Sequence, residues 1–505
     1  MSGKAKKPVA YLAVRYDDGT PTGLSVQPDR EKAEEFLRNR SDEEEEPDSA
    51  ADPKDPSDDE ENENTASSPE EATQNPLSRI IDRISEVMMS YYALINISSM
   101  AREIFLTAFL ETQIVRPLSK GGAELLESTD QGKLFALERA GISKVAKGRE
   151  QVRRIDNGTA AMPASTLMSM VAAFDSIIAD LVGVLLKARR EKLNVGERTV
   201  SLAEVLASSS VDEILDRFVT NEVYELLRGS HDDQVKFIEK NFDIEIRTDW
   251  RGWADFIEVF ERRNLLAHGE AKFTARYAEI CRRHGKSINI RKPGETIELR
   301  RQYLRHAADT LLEFGVLLAF SLWRKHFKDE EEEAFSALNQ VAYQFVVEDR
   351  LSVAINILRY ATGIKTTNCS DFTRRMMIVN LANAWRKMKK PEDAEKVLSS
   401  VDWSATSNYF QICVAAVRDD LEGVVSRMES VKAKVPGEDQ KISSEAFRDW
   451  PVFDKVRNED RFRAEFERIF KEPLLTEVSS EASAEDDESP PKKAATRKTA
   501  PKTIH

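Results

Sequence analysis

From Leu77 onward apolar residues recur three and four positions apart: Ile80, Ile81, Ile84, Val87, Met88, Tyr91 and Tyr92, then Ile104, Phe105 and Phe109. That spacing lines one face of a helix and predicts that the face is buried. Gly158 and Pro163 punctuate the path and predict breaks. Further helical periods cover 165–192, 202–207, 211–227, 232–240 and 250–268. Between 288 and 299 the pattern alternates around Pro293-Gly294, which predicts a small excursion or hairpin before one long helix over 298–328. Upstream of all this, 9–16 and 23–26 read as two short strands around the turn dipeptide Asp18-Gly19, followed by a helix opening near Pro28-Asp29. Such a unit is too small to hold a core alone, so it is expected to dock elsewhere or be marginal.

Beyond a charged joint at 328–333 the pattern becomes one of paired helices. Leu338, Ala342, Tyr343, Leu351, Ala354, Ile357 and Leu358 are matched by Leu381, Ala382, Trp385, Met388, Ala394, Val397 and Leu398. Ala342 superposes on Ala382 and Ala354 on Ala394, a forty-residue offset, and a degenerate third copy runs over 409–431. Small residues at fixed places in two helices let helical hairpins stack closely. Tyr343 and Trp385 read as the core of these repeats. Trp450, Phe453, Phe462, Phe466 and Phe470 then predict an apolar cap on the array's end.

At 505 residues the chain has room for two to four domains. Its formal charge of −14 is concentrated in one place: between Asp42 and Glu71 stand fifteen acidic residues and the single Lys54, and the remainder is balanced at 73 acidic and 73 basic. The low isoelectric point thus describes a linker, expected to be disordered, and says nothing of what the domains bind. The tail from Thr476 is acidic and then basic, with Lys492, Lys493, Arg497, Lys498 and Lys502, and reads as a solubilising tail, with contact to nucleic acid phosphates as the alternative. Cys281, Cys369 and Cys413 lie far apart without the spacing of a zinc site, which fits a reducing compartment. The longest apolar stretch, 311–323, is interrupted by Glu313 and is shorter than the roughly 20 residues a membrane span needs. A soluble cytoplasmic protein with no membrane partner is expected. No Gly-rich dinucleotide fingerprint, phosphate loop, His-Glu zinc pair or nucleophile elbow appears, so neither cofactor nor metal is expected.

The residues with most chemistry lie in Arg263-Asn264-Leu265-Leu266-Ala267-His268-Gly269. The bare spacing of Arg, four residues and His occurs again at Arg301 to His306, so spacing alone decides nothing. On a helix Trp253, Phe256, Ile257 and Phe260 form an apolar stripe that Asn264 and His268 extend, which would bring two polar groups into a buried or interfacial surface where they need partners. Gly269 suits a C-cap, which would set His268 against the negative end of the helix dipole. A protonated imidazole there can act as general acid while an arginine grips a phosphate. Arg263 is turned from His268 by about 140° of helical rotation, so a cleft completed by a second subunit is the simpler geometry. Against this stand a purely structural His268 cap and a solvated Arg263 paired with Glu261 or Glu270. His306, inside a long helix without a following glycine, reads as structural.

The run from Phe256 to Gly269, followed by a long helix ending in Glu313-Phe314-Gly315-Val316-Leu317-Leu318-Ala319, resembles the HEPN domain over about 165 residues. The paired helices resemble tetratricopeptide repeats, although their unit is longer. The HEPN resemblance implies an all-α bundle that dimerises so that two motifs line one cleft, and metal-independent endoribonuclease activity in toxin–antitoxin or antiviral systems. It implies that Arg263 binds the scissile phosphate, His268 transfers a proton and Asn264 orients one of them, with the ribose 2′-hydroxyl as nucleophile. The expected organisation is a strand-turn-strand-helix element at 1–40, an acidic linker at 41–76, a helical lead-in at 77–160, a HEPN-like bundle at 161–328, helical hairpins and cap at 329–475 and a tail at 476–505. Expected partners are RNA, a second copy and a protein regulator on the repeat array. The alternative is a non-catalytic dimeric scaffold.

Overall fold

Two hairpins separated by 95 residues make a single sheet. In the computed structural model, which describes residues 8–17, 20–38, 75–129, 132–193, 199–268, 271–286, 294–432 and 441–474, β1 (Ala10–Asp17) and β2 (Thr20–Gln27) are followed by helix α1 (Arg30–Arg38). After α2 (Pro76–Leu110), a π-helical turn (Glu111–Val115) and α3 (Arg116–Ser119), the chain returns as β3 (Ala123–Thr129) and β4 (Gly132–Leu137). The antiparallel order is β2-β1-β4-β3, with Leu12 opposite Phe135 and Val14 opposite Lys133. Alternation along β1 then does two jobs. Leu12, Val14 and Tyr16 pack on Leu110, Ile114, Val115 and Leu118, while Ala13 faces Ala33 of α1. The helical lead-in expected over 77–160 is therefore corrected: it contains a β-hairpin whose edge the N-terminal strands cover.

Helix α4 (Arg139–Ala188) corrects a second expectation, since it runs unbroken through Gly158 and Pro163 and across the boundary drawn at 160. Proline costs one backbone hydrogen bond there. Packing outweighs it, because Leu167, Met170, Val171, Phe174, Ile177, Ile178 and Leu181 are all buried in the following turns. At its start α4 passes so close to the entry of β3 that a Cβ on Gly141 would lie 2.1 Å from the Gly122 carbonyl oxygen. By composition α4 is the one described helix long and apolar enough to cross a membrane, but half of that window is buried inside the fold, which is compatible with a soluble protein.

The bundle continues with α5 (Leu202–Ala207), α6 (Val211–Leu227), α7 (His231–Phe242), α8 (Ile246–Asp249), α9 (Trp253–His268), α10 (Ala275–Arg283) and α11 (Arg301–His326). The excursion expected near 288–299 lies partly outside the described residues. Its described end pairs back on the segment after α9, through a bridge between Lys272 and Thr296. Helix α11 is buried from Thr310 to Trp323, and Gly315 marks a close approach, where a Cβ would meet Ile84 at 3.2 Å and Phe174 at 3.3 Å. Helix α2 belongs to this same core through Ile80, Ile81, Ile84 and Met88.

The chain divides into two compact units, 1–384 and 385–505, so the division falls inside the expected array of hairpins. The first unit holds α12 (Glu331–Val347), α13 (Leu351–Gly363) and most of α14 (Asp371–Lys387). The second contains α15 (Pro391–Leu398), α16 (Asn408–Val417), α17 (Leu421–Lys432), α18 (Ser444–Asp449) and α19 (Asp460–Phe470). Phe447, Phe453, Phe462 and Phe466 form a buried cluster at the end of the second unit. Successive helix pairs share one turn: Asp349, Lys389 and Asp419 each adopt a left-handed backbone, with φ of 55°, 60° and 58°. In each, the next residue's N–H donates to a carbonyl five residues back, at 2.7, 3.0 and 2.9 Å. The acidic linker up to residue 74 and the tail from 475 lie outside the described residues. Overall the protein is mostly helical with a small N-terminal antiparallel sheet.

Candidate functional site

Helix α9 is anchored by its rings. Phe256 lies 4.1 Å from Phe314 of α11 and 4.7 Å from Phe260, and Phe174 of α4 stands 5.9 Å from Phe256, so three helices share one aromatic core. Glu258, buried on another side of α9, accepts hydrogen bonds from Tyr277 of α10, from Tyr303 of α11 at 2.9 Å and from Arg262 at 2.8 Å. The Arg262 guanidinium also lies 3.7 Å over the Tyr303 ring. Arg262 is therefore a packing residue that neutralises a buried carboxylate.

One residue further on, about 100° around the helix, Arg263 points to α4 instead. Its guanidinium donates to Oδ1 of Asn264 at 3.1 Å and pairs with Oδ2 of Asp175 at 3.3 Å. The other oxygen of Asp175 lies 2.8 Å from Nε2 of His231, the first residue of α7. The His231 ring is stacked on Phe260, centroids 3.4 Å apart and planes within 18°. His231 is thus pinned on two sides, and its side chain is only 12% exposed against 25% for Arg263 and 26% for Asp175. The structure brings Arg263 and Asn264 together, and adds two groups that spacing along the chain did not suggest.

His268 is placed differently from the expectation. The buried stripe ends at Phe260; Asn264 is half-buried and His268, the last residue of α9, is exposed. No hydrogen bond joins it to Arg263 or Asn264, and it sits about 7.5 Å further along the axis than Arg263. The expected C-cap Gly269 and the alternative partner Glu270 lie outside the described residues. Arg263 takes its charge partner from α4 and not from Glu261.

The second match to the spacing lies in α11. Arg301 and Arg305 each donate to Oδ1 of Asn96 at 2.9 Å and so serve packing against α2. His306 does not fit a purely internal role. It lines a cavity of about 500 Å³ together with Asp255, Asp309, Thr310, Glu313 and Asn356. His306 lies 3.5 Å from Asp255, which also binds Lys286. The hydrogen bond from His306, aided by Lys286, holds the Asp255 carboxyl down to about 2 against its burial, and Asp255 in turn raises the imidazole. Burial raises Asp309 and Glu313. Both receive hydrogen bonds from neutral donors, Tyr92 to Asp309, and Trp250 and Asn356 to Glu313.

The three cysteines are buried free thiols, with desolvation pushing Cys281 and Cys413 up to about 12 and Cys369 to about 11. Among the described residues no group of three or more His, Cys, Asp or Glu side chains is arranged to hold a metal ion. Of the residues the motif did not contain, Asp175 carried a faint signal, as one of two charges within the apolar run 167–186. His231 carried none, since nothing local to Ser230-His231-Asp232 marks it as more than a helix start. No known protein family matches the chain, and no curated protein or solved structure is significantly similar to it.

Proposed function

We propose that the bundle around α9 and α11 is a HEPN-type, metal-independent endoribonuclease module. In this reading the helical hairpins are a tetratricopeptide-like surface for a protein regulator, and the whole acts in the cytoplasm as a toxin or antiviral effector. The observation that carries the reading is the fixed pair Arg263–Asn264 on the same helix end as an exposed imidazole, His268. A guanidinium held by both Asp175 and Asn264 has a set direction, which suits a tetrahedral phosphate better than a freely moving side chain would. The ribose 2′-hydroxyl loses its proton and attacks the adjacent phosphorus, the bond from phosphorus to the 5′-oxygen breaks, and the departing 5′-oxygen takes up a proton; His268 accepts the first proton or supplies the second. Because Arg263 and His268 lie on different faces of α9, the reading places the working cleft between two copies, each giving one group to the other's motif.

Incubation of the purified protein with RNA in EDTA tests it. Cleavage leaving 2′,3′-cyclic or 3′-phosphate ends is expected, with loss of about 100-fold or more in Arg263→Ala and His268→Ala and near-normal rates in His306→Ala. Cleavage that depends on added magnesium, or equal loss in the His268 and His306 variants, would refute the assignment. One observation favours the second reading, a non-catalytic dimeric scaffold: the charge of Arg263 is already balanced by Asp175. That reading requires that growth arrest on overexpression be absent, or unrelieved by Arg263→Ala.

A further inference from the structure

We infer that Asp175 and His231 are positioning residues that set how much of the Arg263 charge is open to an RNA phosphodiester; this rests on the proposed role of Arg263. Asp175 divides its two oxygens between two helices. Oδ2 takes Arg263 at 3.3 Å, and Oδ1 takes His231 at the shorter 2.8 Å. The carboxylate is therefore turned toward α7 and meets the guanidinium through one oxygen alone. His231 can hold it there because its own ring is fixed on Phe260. Without His231 the carboxylate is free to swing both oxygens onto Arg263 in a two-pronged pair, the strongest arrangement open to these two groups and a direct competitor for phosphate. Without Asp175 the opposite holds: Arg263 gains net positive charge toward the substrate but loses its fixed direction.

The two substitutions are thus expected to move binding in opposite directions, an outcome that simple loss of folding would not give. Binding of a 2′-O-methyl oligoribonucleotide, which cannot be cut, isolates the contact to phosphate. Asp175→Asn is expected to tighten it about threefold or more. In the same variant cleavage of ordinary RNA should show kcat reduced about tenfold with KM unchanged or lower, since alignment matters most in the transition state. His231→Phe keeps the ring on Phe260 but cannot hold the carboxylate, and should weaken binding about fivefold; His231→Gln, which can still donate, should restore it to within about twofold. In an Arg263→Ala background both shifts should vanish.

Shifts in the same direction, no shifts, or shifts that persist without Arg263 would overturn the inference. If the wild-type protein binds with this pattern but fails to cut RNA in EDTA, the ribonuclease reading falls and the positioning pair stands. If it does not bind the oligonucleotide at all, both fall.

Discussion

His306 and Asp255 lean on each other in the wall of the cavity, and their charges follow pH in opposite ways. The imidazole is raised by the carboxylate, so its share of stability is complete below about pH 6.5 and is lost as pH rises through the raised value. The carboxylate is held down to about 2, so its share is present above about pH 3.9 and is lost as pH falls from there through about 2. The pair contributes fully between those limits, by no more than about 1 kcal/mol because His306 is half-exposed. Burial, and Lys286 seated on the same Asp255, oppose the imidazolium, so the rise of His306 is a balance that Asp255 wins. An imidazole titration followed by NMR should give a midpoint above 6.5 in the wild type, and Asp255→Asn should bring it down. An unchanged midpoint would mean that the pair does not persist in solution. Cys413 supplies a second check at this scale: fully enclosed and pushed up to about 12, it should resist alkylation until the protein is denatured. Arg263 and Asn264 were visible in the sequence because they are adjacent and follow closely on an aromatic stripe. Asp175 left only a faint trace and His231 none, because the contacts that define them join three helices and span 56 and 88 residues.

The repeated turn between paired helices is an element that the chain spells weakly. Its small-residue positions are legible: Ala342, Ala354, Ala382 and Ala394 are all buried, as close helix packing requires. Its turn is not, since the left-handed position is filled by Asp, Lys and Asp and never by glycine. A side chain in that conformation costs about 1–2 kcal/mol, of which glycine would recover part after its own greater loss of chain freedom. Lys389 is the clean place to test this, being exposed. Lys389→Gly is expected to stabilise the protein by about 0.5–1 kcal/mol, raising the thermal midpoint, whereas Lys389→Val should lower it. Equal effects of the two would show that the turn is not held left-handed. Helix α4 teaches the converse lesson. Gly158 and Pro163 are local signals for a break, and fifty residues of helix ignore them because burial along the following turns is worth more than one hydrogen bond.

At the scale of the whole molecule the sheet is the least legible part, because its two halves lie on either side of the acidic linker and neither half predicts the other. Strand β1 closes both faces: Leu12, Val14 and Tyr16 complete one core and Ala13 completes another with Ala33 and Leu134. Left alone, β3 and β4 would be a two-stranded ribbon with an open edge, which is marginal in water. The N-terminal element should therefore remain bound after its covalent link is cut. A covalent tether gives an effective concentration of at most about millimolar, so a hairpin and helix that hold on tightly enough to matter do so through their own contacts. Insertion of a protease site within 41–74 and cleavage there is expected to leave the fragment of residues 1–40 co-eluting with the remainder on gel filtration at micromolar protein. Deletion of 1–40 should instead expose the β4 edge and yield a less stable, aggregation-prone chain, rescued when the 1–40 peptide is supplied separately. Separation of the fragments after cleavage, or a deletion variant as soluble and as stable as the full chain, would show that the β1–β2 hairpin is loosely attached to β4 and not a structural part of the core.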